Sequence, residues 1–191
     1  LERCNRGNRR DMLKFVCVKY TSLTTPLPGK ELSVYDYNDV NTLYESIVAN
    51  CTIPFEFYCL TENPVNINSN VNIIPIDTDL GLDRVWWKMC IFDKSLWNSD
   101  DIIFYMDLDV KVYNNIDSMC SAPSANKLKT CRIGDQYESS FNSSLLLFNG
   151  HEMDHLYTNF IANKTSVIDY YMQANRGIDP YLTITYGRDS W

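Results

Sequence analysis

The chain has 191 residues, of which 45% are hydrophobic and 21% charged, a composition that suits one globular domain with a sizeable core and excludes a low-complexity chain. Its net charge of −7 argues against nucleic acid as the main partner. No apolar stretch approaches the length that crosses a bilayer, so we expect no membrane segment in this chain. We expect a single domain over residues 1–191, and the abrupt ending "ITYGRDSW" is compatible with a fragment of a longer protein.

Short β-rich apolar runs alternate with amphipathic segments along the chain. The run "KFVCVKY" at 14–20 has the pattern of a buried strand, and "DVNTLYESIVAN" at 39–50 has its apolar residues at helical spacing. Further strands are predicted at 55–60, 71–76, 101–113, 127–133 and 144–150, and further helices at 84–97, 151–163 and 165–174. Because strands and helices alternate through the first half, we predict an α/β fold with a mainly parallel central sheet flanked by helices.

The seven cysteines have no spacing that indicates a metal or redox site, because the sequence contains no C-x-x-C. Several of them lie inside apolar runs such as "FVCVKY" and "FEFYCL". We therefore expect buried, reduced thiols and a reducing compartment.

The stretch "IIFYMDLDV" carries two carboxylates at the end of the strongest strand signal. Because side chains alternate on extended backbone, Asp107 and Asp109 are expected to point the same way, with Leu108 in the core. Two carboxylates on one face repel each other, and a hard cation such as Mn²⁺ or Mg²⁺ relieves that repulsion. The other partner of such a metal is usually a phosphate, and open α/β sheets bind ligands at this edge. An acidic turn that caps a buried strand has the same spacing, so both interpretations stay open.

Five motifs occur in order along the chain: "CLTEN", "WWKMCIFD", "IIFYMDLDVKV", "FNSSLLLFNG" and "RGIDPYL". Together, from about residue 15 to 182, they resemble the DxD-type glycosyltransferases of GT-A fold, particularly the retaining family 8 and its relatives. The resemblance implies a Rossmann-like GT-A fold, a nucleotide-sugar donor of the UDP type, and Mn²⁺ or Mg²⁺ bound by Asp107 and Asp109. A domain of an enzyme that glycosylates viral capsids is one identity that the resemblance allows. With the reducing compartment that the cysteines indicate, we expect a cytoplasmic location, which is the host cytoplasm if the protein is viral.

The resemblance also implies which residues contact the donor nucleotide. The loop after the first strand, with Lys19, Tyr20 and Thr21, would hold the nucleoside, although Tyr20 fits a core position equally well. Lys88, on the helix before the D-x-D strand, would face the diphosphate or the sugar; a lysine beside core aromatic residues is the alternative. Asp83, just upstream, is a further candidate for binding a sugar hydroxyl.

The stretch "FNSSLLLFN" resembles the family's "FNSG" or "FNAG" segment. By that resemblance Asn142 and Ser143 would contact the donor sugar near the diphosphate, and Asp135 in "RIGDQ" would also contact the sugar. Ordinary polar turns are the alternative for both segments.

The stretch "GIDPYL" resembles the family's D-Q-D-x-L stretch but departs from it. Asp179 falls where the family has Gln beside the anomeric carbon, and Ile178 and Pro180 replace the flanking acids. Asp179, together with Asp109 through the metal, is the predicted catalytic residue. Many relatives supply a late histidine as third metal ligand; none follows His155 here, so water or another residue would take that place.

The two histidines of the chain frame "HEMDH", a formal match to the zinc-peptidase pattern H-E-x-x-H. In that pattern His151 and His155 would bind zinc from one helical face, with Glu152 as the base. The match opens a predicted helix directly after a strand and a glycine, where Glu152 and Asp154 would favourably face the helix N-terminus. Capping and solvation are therefore the predicted roles, and a zinc hydrolase is an alternative.

The sequence as a whole predicts a metal-dependent hexosyltransferase that moves a sugar from a nucleotide-diphosphate donor to a glycan or glycoprotein acceptor, with retention. A hypothesis from another class is a catalytically silent GT-A-like binding module within a larger protein. Donor hydrolysis in the presence of Mn²⁺ would distinguish the two, and a metal assay would identify a zinc enzyme.

Overall fold

The computed structural model describes residues 12–20, 35–82, 84–132, 141–173 and 177–186. Its strands are β1 (Leu13–Lys19), β2 (Phe55–Thr61), β3 (Val71–Pro75), β4 (Ile102–Met106), β5 (Lys129–Arg132) and β6 (Phe141–Asn149). They form one six-stranded sheet in the order β3-β2-β1-β4-β6-β5. The first four strands of the chain are parallel, whereas β6 is antiparallel to β4 and to β5. The predicted α/β fold with a mainly parallel sheet is confirmed.

The central strand β1 is buried along its whole length. Leu13, Phe15 and Cys17 pack into a core cluster on one face of the sheet, and Val16 and Val18 pack into a cluster on the other. A parallel strand needs this continuous apolar pattern because both of its faces are covered.

Three α-helices in the described part of the chain cover the two faces: α1 (Tyr37–Asn50), α2 (Asp154–Gln173) and α3 (Ile178–Tyr186). A capping box starts α1, in which the Asp36 carboxylate accepts from the N–H of Asn38 at 2.6 Å and the Asp39 carboxylate accepts from the N–H of Asp36 at 2.7 Å. The core cluster of Phe15 includes apolar residues of α1, while the opposite cluster includes residues of α2 and α3. No helix of the described ranges is long and apolar enough to cross a membrane.

The segment predicted as one helix at 84–97 forms two 3₁₀ helices, Arg84–Phe92 and Lys94–Leu96. Asp93 separates them because its carboxylate accepts a hydrogen bond from the N–H of Ser95 at 2.8 Å and so caps the second one. The first 3₁₀ helix buries both of its tryptophans and, unexpectedly for a charged residue, Lys88.

Three further features differ from the prediction. The strand predicted at 101–113 ends at Met106, because the chain then turns. The helices predicted at 151–163 and 165–174 are a single helix, α2, since the segment that joins them contains neither glycine nor proline to interrupt it. The short helix α3 was not predicted from the pattern, and Pro180 is tolerated in its first turn, where a backbone N–H has no partner within the helix.

Candidate active site

The predicted D-x-D motif lies at the carboxyl edge of the parallel strands, directly after β4. Because β6 is antiparallel to β4, the start of β6 comes to the same edge as the end of β4. The N–H of Asp107 donates to the carbonyl oxygen of Ser144 at 2.9 Å and fixes this meeting point. The topology therefore brings the "FNSS" segment of residues 141–144 beside Asp107.

Lys88 is only 6% exposed, and its ammonium group joins the two motifs. Nζ lies 2.8 Å from Oδ1 and 3.1 Å from Oδ2 of Asp107. It also donates to Oγ and to the carbonyl oxygen of Ser143, at 3.0 and 3.2 Å. Protein acceptors thus surround all three hydrogens of the ammonium group. In this arrangement Lys88 is the counter-ion of Asp107, and its contact with a donor diphosphate or sugar stays a prediction.

Tyr105 belongs to the site although the sequence analysis did not single it out. Its hydroxyl donates to Oδ1 of Asp107, and Nζ of Lys88 lies 5.1 Å from the centre of its ring, within cation–π range. Burial and then the Asp107 carboxylate raise the pKa of Tyr105 well above its ordinary value, so the phenol keeps its proton and remains a donor. Strand alternation could have revealed it, since residues two apart share a face.

Asp179, near the start of α3, points at Ser143. Its Oδ1 accepts from the backbone N–H of Ser143 at 3.1 Å and from the Ser143 hydroxyl. Because a hydroxyl can donate one hydrogen bond and accept others, Ser143 accepts from Lys88 while it donates to Asp179.

The result is a continuous carboxyl-edge network, made of Lys88, Tyr105, Asp107, Ser143 and Asp179. Four of these five residues were predicted as site residues from the sequence. The network contains two carboxylates and one ammonium group, so with both acids ionised it carries an excess of negative charge. That excess favours a further cation at this edge of the sheet.

Asp109 is exposed and follows Leu108, which is 7% exposed. The expectation that Leu108 enters the core is confirmed. The expectation of extended backbone that places Asp107 and Asp109 on one side is wrong, because the strand ends at Met106. The N–H of Val110 donates to the carbonyl oxygen of Asp107 at 3.1 Å and closes a turn instead.

The carboxylates at this turn are oxygen ligands of the kind that a hard divalent cation takes, and a bound cation would need further oxygens to complete its coordination. Oδ1 of Asp107 binds Tyr105 and Lys88, whereas Oδ2 binds Lys88 alone among the described residues and keeps acceptor capacity. The Asp107 side chain is 24% exposed, and Asp109 is open to solvent. No group of three His, Cys, Asp or Glu side chains in the described ranges is arranged to hold a metal. Phosphate and water oxygens would therefore have to complete the set, as is usual for Mg²⁺.

The predicted nucleoside contacts are only partly described. Tyr20 is half-buried and packs against the core cluster that contains Val16 and Val18, which agrees with its alternative role as a core residue. The ammonium group of Lys19 donates to the carbonyl oxygen of Asn63 at 3.1 Å and is buried at the end of β2. Outside the described residues lie Thr21, Asp83 and Asp135.

Asn142 shapes the start of β6. Its Oδ1 accepts from the N–H of Ser144 at 2.8 Å, and its carbonyl oxygen accepts from the hydroxyl of Thr130. These bonds give Asn142 a local structural role, and its contact with the donor sugar stays a prediction.

The histidines lie at the opposite, amino edge of the sheet, because β6 ends there. His151 lies in the turn before α2, and its Nε2 is 2.8 Å from the carbonyl oxygen of Trp97. Glu152 accepts from the N–H of Asn126 at 2.8 Å. The zincin pattern requires both histidines on one helix, whereas here only His155 is helical. The geometry therefore gives the zinc alternative no support.

The sheet order, the helices on both faces and the site at the carboxyl edge can be compared with known structures. No protein-family model and no curated protein matches the sequence. Two structures of the glycosyltransferase GlyE of Streptococcus pneumoniae TIGR4 superpose with TM-scores of 0.63 and 0.62, at 14% and 13% identity over 95% and 94% of this chain. The galactosyltransferase LgtC, in complex with donor and acceptor sugar analogues, superposes with a TM-score of 0.52, at 12% identity over 84% of the chain.

The chain has the GT-A fold. It spans 44% of the GlyE chain and 65% of the LgtC chain, so both of these proteins contain much that has no counterpart here. At these identities the similarity establishes the GT-A fold alone, and function must be argued from the residues of the site.

Proposed function

We propose that this GT-A domain is a glycosyltransferase that takes a sugar from a nucleotide-diphosphate donor, with the carboxyl-edge network at the centre of its active site. The observation that carries the proposal is the convergence of Lys88, Asp107, Ser143 and Asp179 at one edge of the sheet. These residues come from four separate segments of the chain. Their edge is the one at which open α/β sheets bind ligands.

The donor's diphosphate is the natural partner of a cation at this edge. Asp107, through Oδ2, and the exposed Asp109 would hold Mn²⁺ or Mg²⁺, and the bound metal would offset charge on the nucleoside diphosphate that leaves. Lys88 orients Asp107, because its ammonium group lies within hydrogen-bonding distance of both carboxylate oxygens. Tyr105 also holds this carboxylate in place, because its hydroxyl donates to Oδ1 of Asp107.

Asp179 is the residue we assign to the sugar. Ser143 orients its carboxylate with two hydrogen bonds to Oδ1, and among the described residues Oδ2 keeps acceptor capacity for a ligand. A carboxylate beside the anomeric carbon would stabilise the positive charge that develops on the sugar ring, and this role is compatible with retention. The uracil of a UDP donor would lie against Tyr20 and Thr21, with Asn142 near the sugar, and the acceptor would be a glycan or glycoprotein.

Calorimetric titration with UDP, UDP-glucose and UDP-galactose tests the proposal. We expect binding in Mn²⁺ and at least about 100-fold weaker binding in EDTA, because the diphosphate then faces two uncompensated carboxylates. Asp109→Ala should remove the Mn²⁺-dependent part, while the matched variant Asp100→Ala, an exposed aspartate at the amino edge, should bind as the wild type does. Equal binding in Mn²⁺ and in EDTA would contradict the metal-diphosphate mechanism.

A binding module without catalysis is the second candidate, and one observation favours it. All three hydrogens of the Lys88 ammonium group are already directed at protein acceptors. The hydrogen bonds of this lysine are therefore satisfied without a bound nucleotide-sugar. Donor hydrolysis separates the candidates: a transferase slowly releases free sugar from a bound nucleotide-sugar in Mn²⁺, whereas a binding module holds the donor intact.

A further inference from the structure

Cys51 and Cys120 are distant in sequence, yet both belong to the core cluster that contains Phe15, in which Cys120 is buried and Cys51 packs against it partly buried. Cys51 caps the C-terminus of α1, where its N–H donates to the carbonyl oxygen of Ile47 at 2.8 Å. Cys120 follows the 3₁₀ helix Asp117–Met119, and its Sγ donates to the carbonyl oxygen of Ile116 at 3.3 Å. Both cysteines are free thiols in the structure.

Several hydrogen bonds hold the two segments together, so the proximity of the two cysteines is built into the fold. The N–H and the hydroxyl of Thr52 donate to the Asp117 carboxylate at 2.8 and 2.5 Å. The N–H of Ile116 donates to the carbonyl oxygen of Asn50 at 3.0 Å, and the side-chain amide of Asn50 donates to the carbonyl oxygen of Val112 at 3.1 Å. These bonds flank both cysteines and leave them little freedom to separate.

We propose that Cys51 and Cys120 form a dithiol site that closes to an intrachain disulfide when the protein meets a disulfide oxidant such as oxidised glutathione. Cys51 reacts first because it is partly exposed, whereas Cys120 is 4% exposed. The Cys51 thiolate attacks one glutathione sulfur and releases one reduced glutathione. The Cys120 thiolate then attacks the Cys51 sulfur and releases the second, so two protein thiols are oxidised and one glutathione disulfide is reduced.

The chain contains a second thiol pair that serves as an internal control. Cys17 and Cys59 are register partners on β1 and β2, lie in the same core cluster, and are both 0% exposed. Because an oxidant cannot reach either sulfur in the folded protein, this pair is expected to stay reduced. Exposure of one member therefore distinguishes the reactive pair from the inert one.

The reaction is expected to be slow near neutral pH. Burial, the largest cause in both thiols, raises the pKa of Cys51 and raises the pKa of Cys120 to about 12, and the Asp117 carboxylate raises both further. Since only the thiolate attacks a disulfide, the incubation is best carried out at about pH 8.5.

The direct test is peptide mapping of the full chain after incubation with oxidised glutathione and blocking of the remaining thiols. We expect a linked Cys51–Cys120 peptide from the folded protein, with Cys17 and Cys59 blocked singly. Closing the long loop between α1 and the end of the 3₁₀ helix should also raise Tm by about 5 °C or more. The proposal would be overturned if Cys51 and Cys120 were each found carrying the blocking reagent. It would also be overturned if the Cys51–Cys120 linkage formed only in unfolded protein.

Two variants sharpen the order of attack. In Cys120→Ser the Cys51 thiol should remain as a mixed disulfide with glutathione, because no second thiol can displace it. In Cys51→Ser the Cys120 thiol should stay unmodified, because it is buried. Glutathione on Cys120 in that variant would refute the order. Peptide mapping of the wild-type chain tests the proposal even if a variant fails to fold. The inference does not depend on the proposed transferase activity.

Discussion

Two buried lysine–aspartate pairs lie at opposite edges of the same sheet, and they differ in how open the carboxylate is. At the amino edge, Nζ of Lys14 lies 2.7 Å from Oδ2 of Asp101, and the two side chains are 8% and 5% exposed. At the carboxyl edge, Nζ of Lys88 lies 2.8 Å from Oδ1 of Asp107, whose side chain is 24% exposed. The ion-pair distances are nearly equal, so distance alone does not distinguish a closed structural pair from one that is open to solvent.

The surroundings of each pair make the distinction. The N–H and the side-chain amide of Asn98 donate to Oδ2 of Asp101 at 2.7 and 3.2 Å, and the ring of Tyr58 lies 5.1 Å from the Lys14 ammonium group. That pair is closed by protein groups and braces the starts of β1 and β4. The carboxyl-edge pair adjoins the exposed Asp109 and continues to further polar groups, so it can accept a ligand without unfolding.

The largest expected effect is that of Asp101→Asn, after which the buried Lys14 ammonium group keeps only the more distant Glu56 carboxylate, at 3.7 Å and 42% exposed, as a charged partner among the described residues. We expect a loss of about 3–5 kcal/mol in the free energy of unfolding, measured by urea denaturation. Asp107→Asn should lose less than half of that, because the site is more open and Lys88 keeps its acceptors on Ser143. Equal losses in the two variants would show that the pairs do not differ as argued.

The next effect concerns Asp179→Asn, which removes a charge but can keep both hydrogen bonds from Ser143. We expect stability to change by less than about 1 kcal/mol and donor turnover to fall about 100-fold, with donor affinity nearly unchanged, since the lost interaction belongs to the transition state. Single-turnover kinetics with a nucleotide-sugar measures this split. Near-normal turnover would remove Asp179 from the catalytic residues.

A smaller effect is expected for Ser143→Ala, which breaks the bridge between Lys88 and Asp179. The loss of a buried hydroxyl that both accepts and donates should cost about 1–2 kcal/mol of stability. Ser144→Ala, at the next position of β6, is the matched control and should cost less than about 0.5 kcal/mol. Thermal unfolding of the three proteins tests this, and a similar cost at both positions would argue against the bridge.

The smallest effect is expected for the double replacement of His151 and His155 by Ala. Both side chains are exposed, and they lie at the edge away from the carboxyl-edge network. Transferase or donor-hydrolysis activity should stay within about twofold of wild type, and stability should fall by less than about 1 kcal/mol through loss of the bond to Trp97. Stoichiometric zinc in the wild type, lost together with activity in the variant, would reverse this view.

Much of the fold was predictable because its signals are local. β1, β2 and β3 are near-continuous apolar runs, and α1 shows helical spacing, so their predicted boundaries agree with the structure to within two residues. Asp107 was correctly placed after a buried strand. The end of that strand was placed too late, because β-prone residues continue beyond Met106 whereas the turn is closed by a hydrogen bond from Val110.

The sequence by itself determined the α/β class, the buried central strands and the position of two acids at the end of β4. These features depend on apolar periodicity and strand length, which are set by residues close together in the sequence. Only the tertiary structure decided which lysine pairs with which acid. Lys14 and Lys88 both lie beside aromatic residues in the sequence. The antiparallel pairing of β6 with β4 places Ser143 beside Lys88, whereas the N–H of Asn98 donates a hydrogen bond to the Asp101 carboxylate. Such partners come from segments far apart in the chain, and the energy of a buried charge depends on them rather than on its neighbours in sequence.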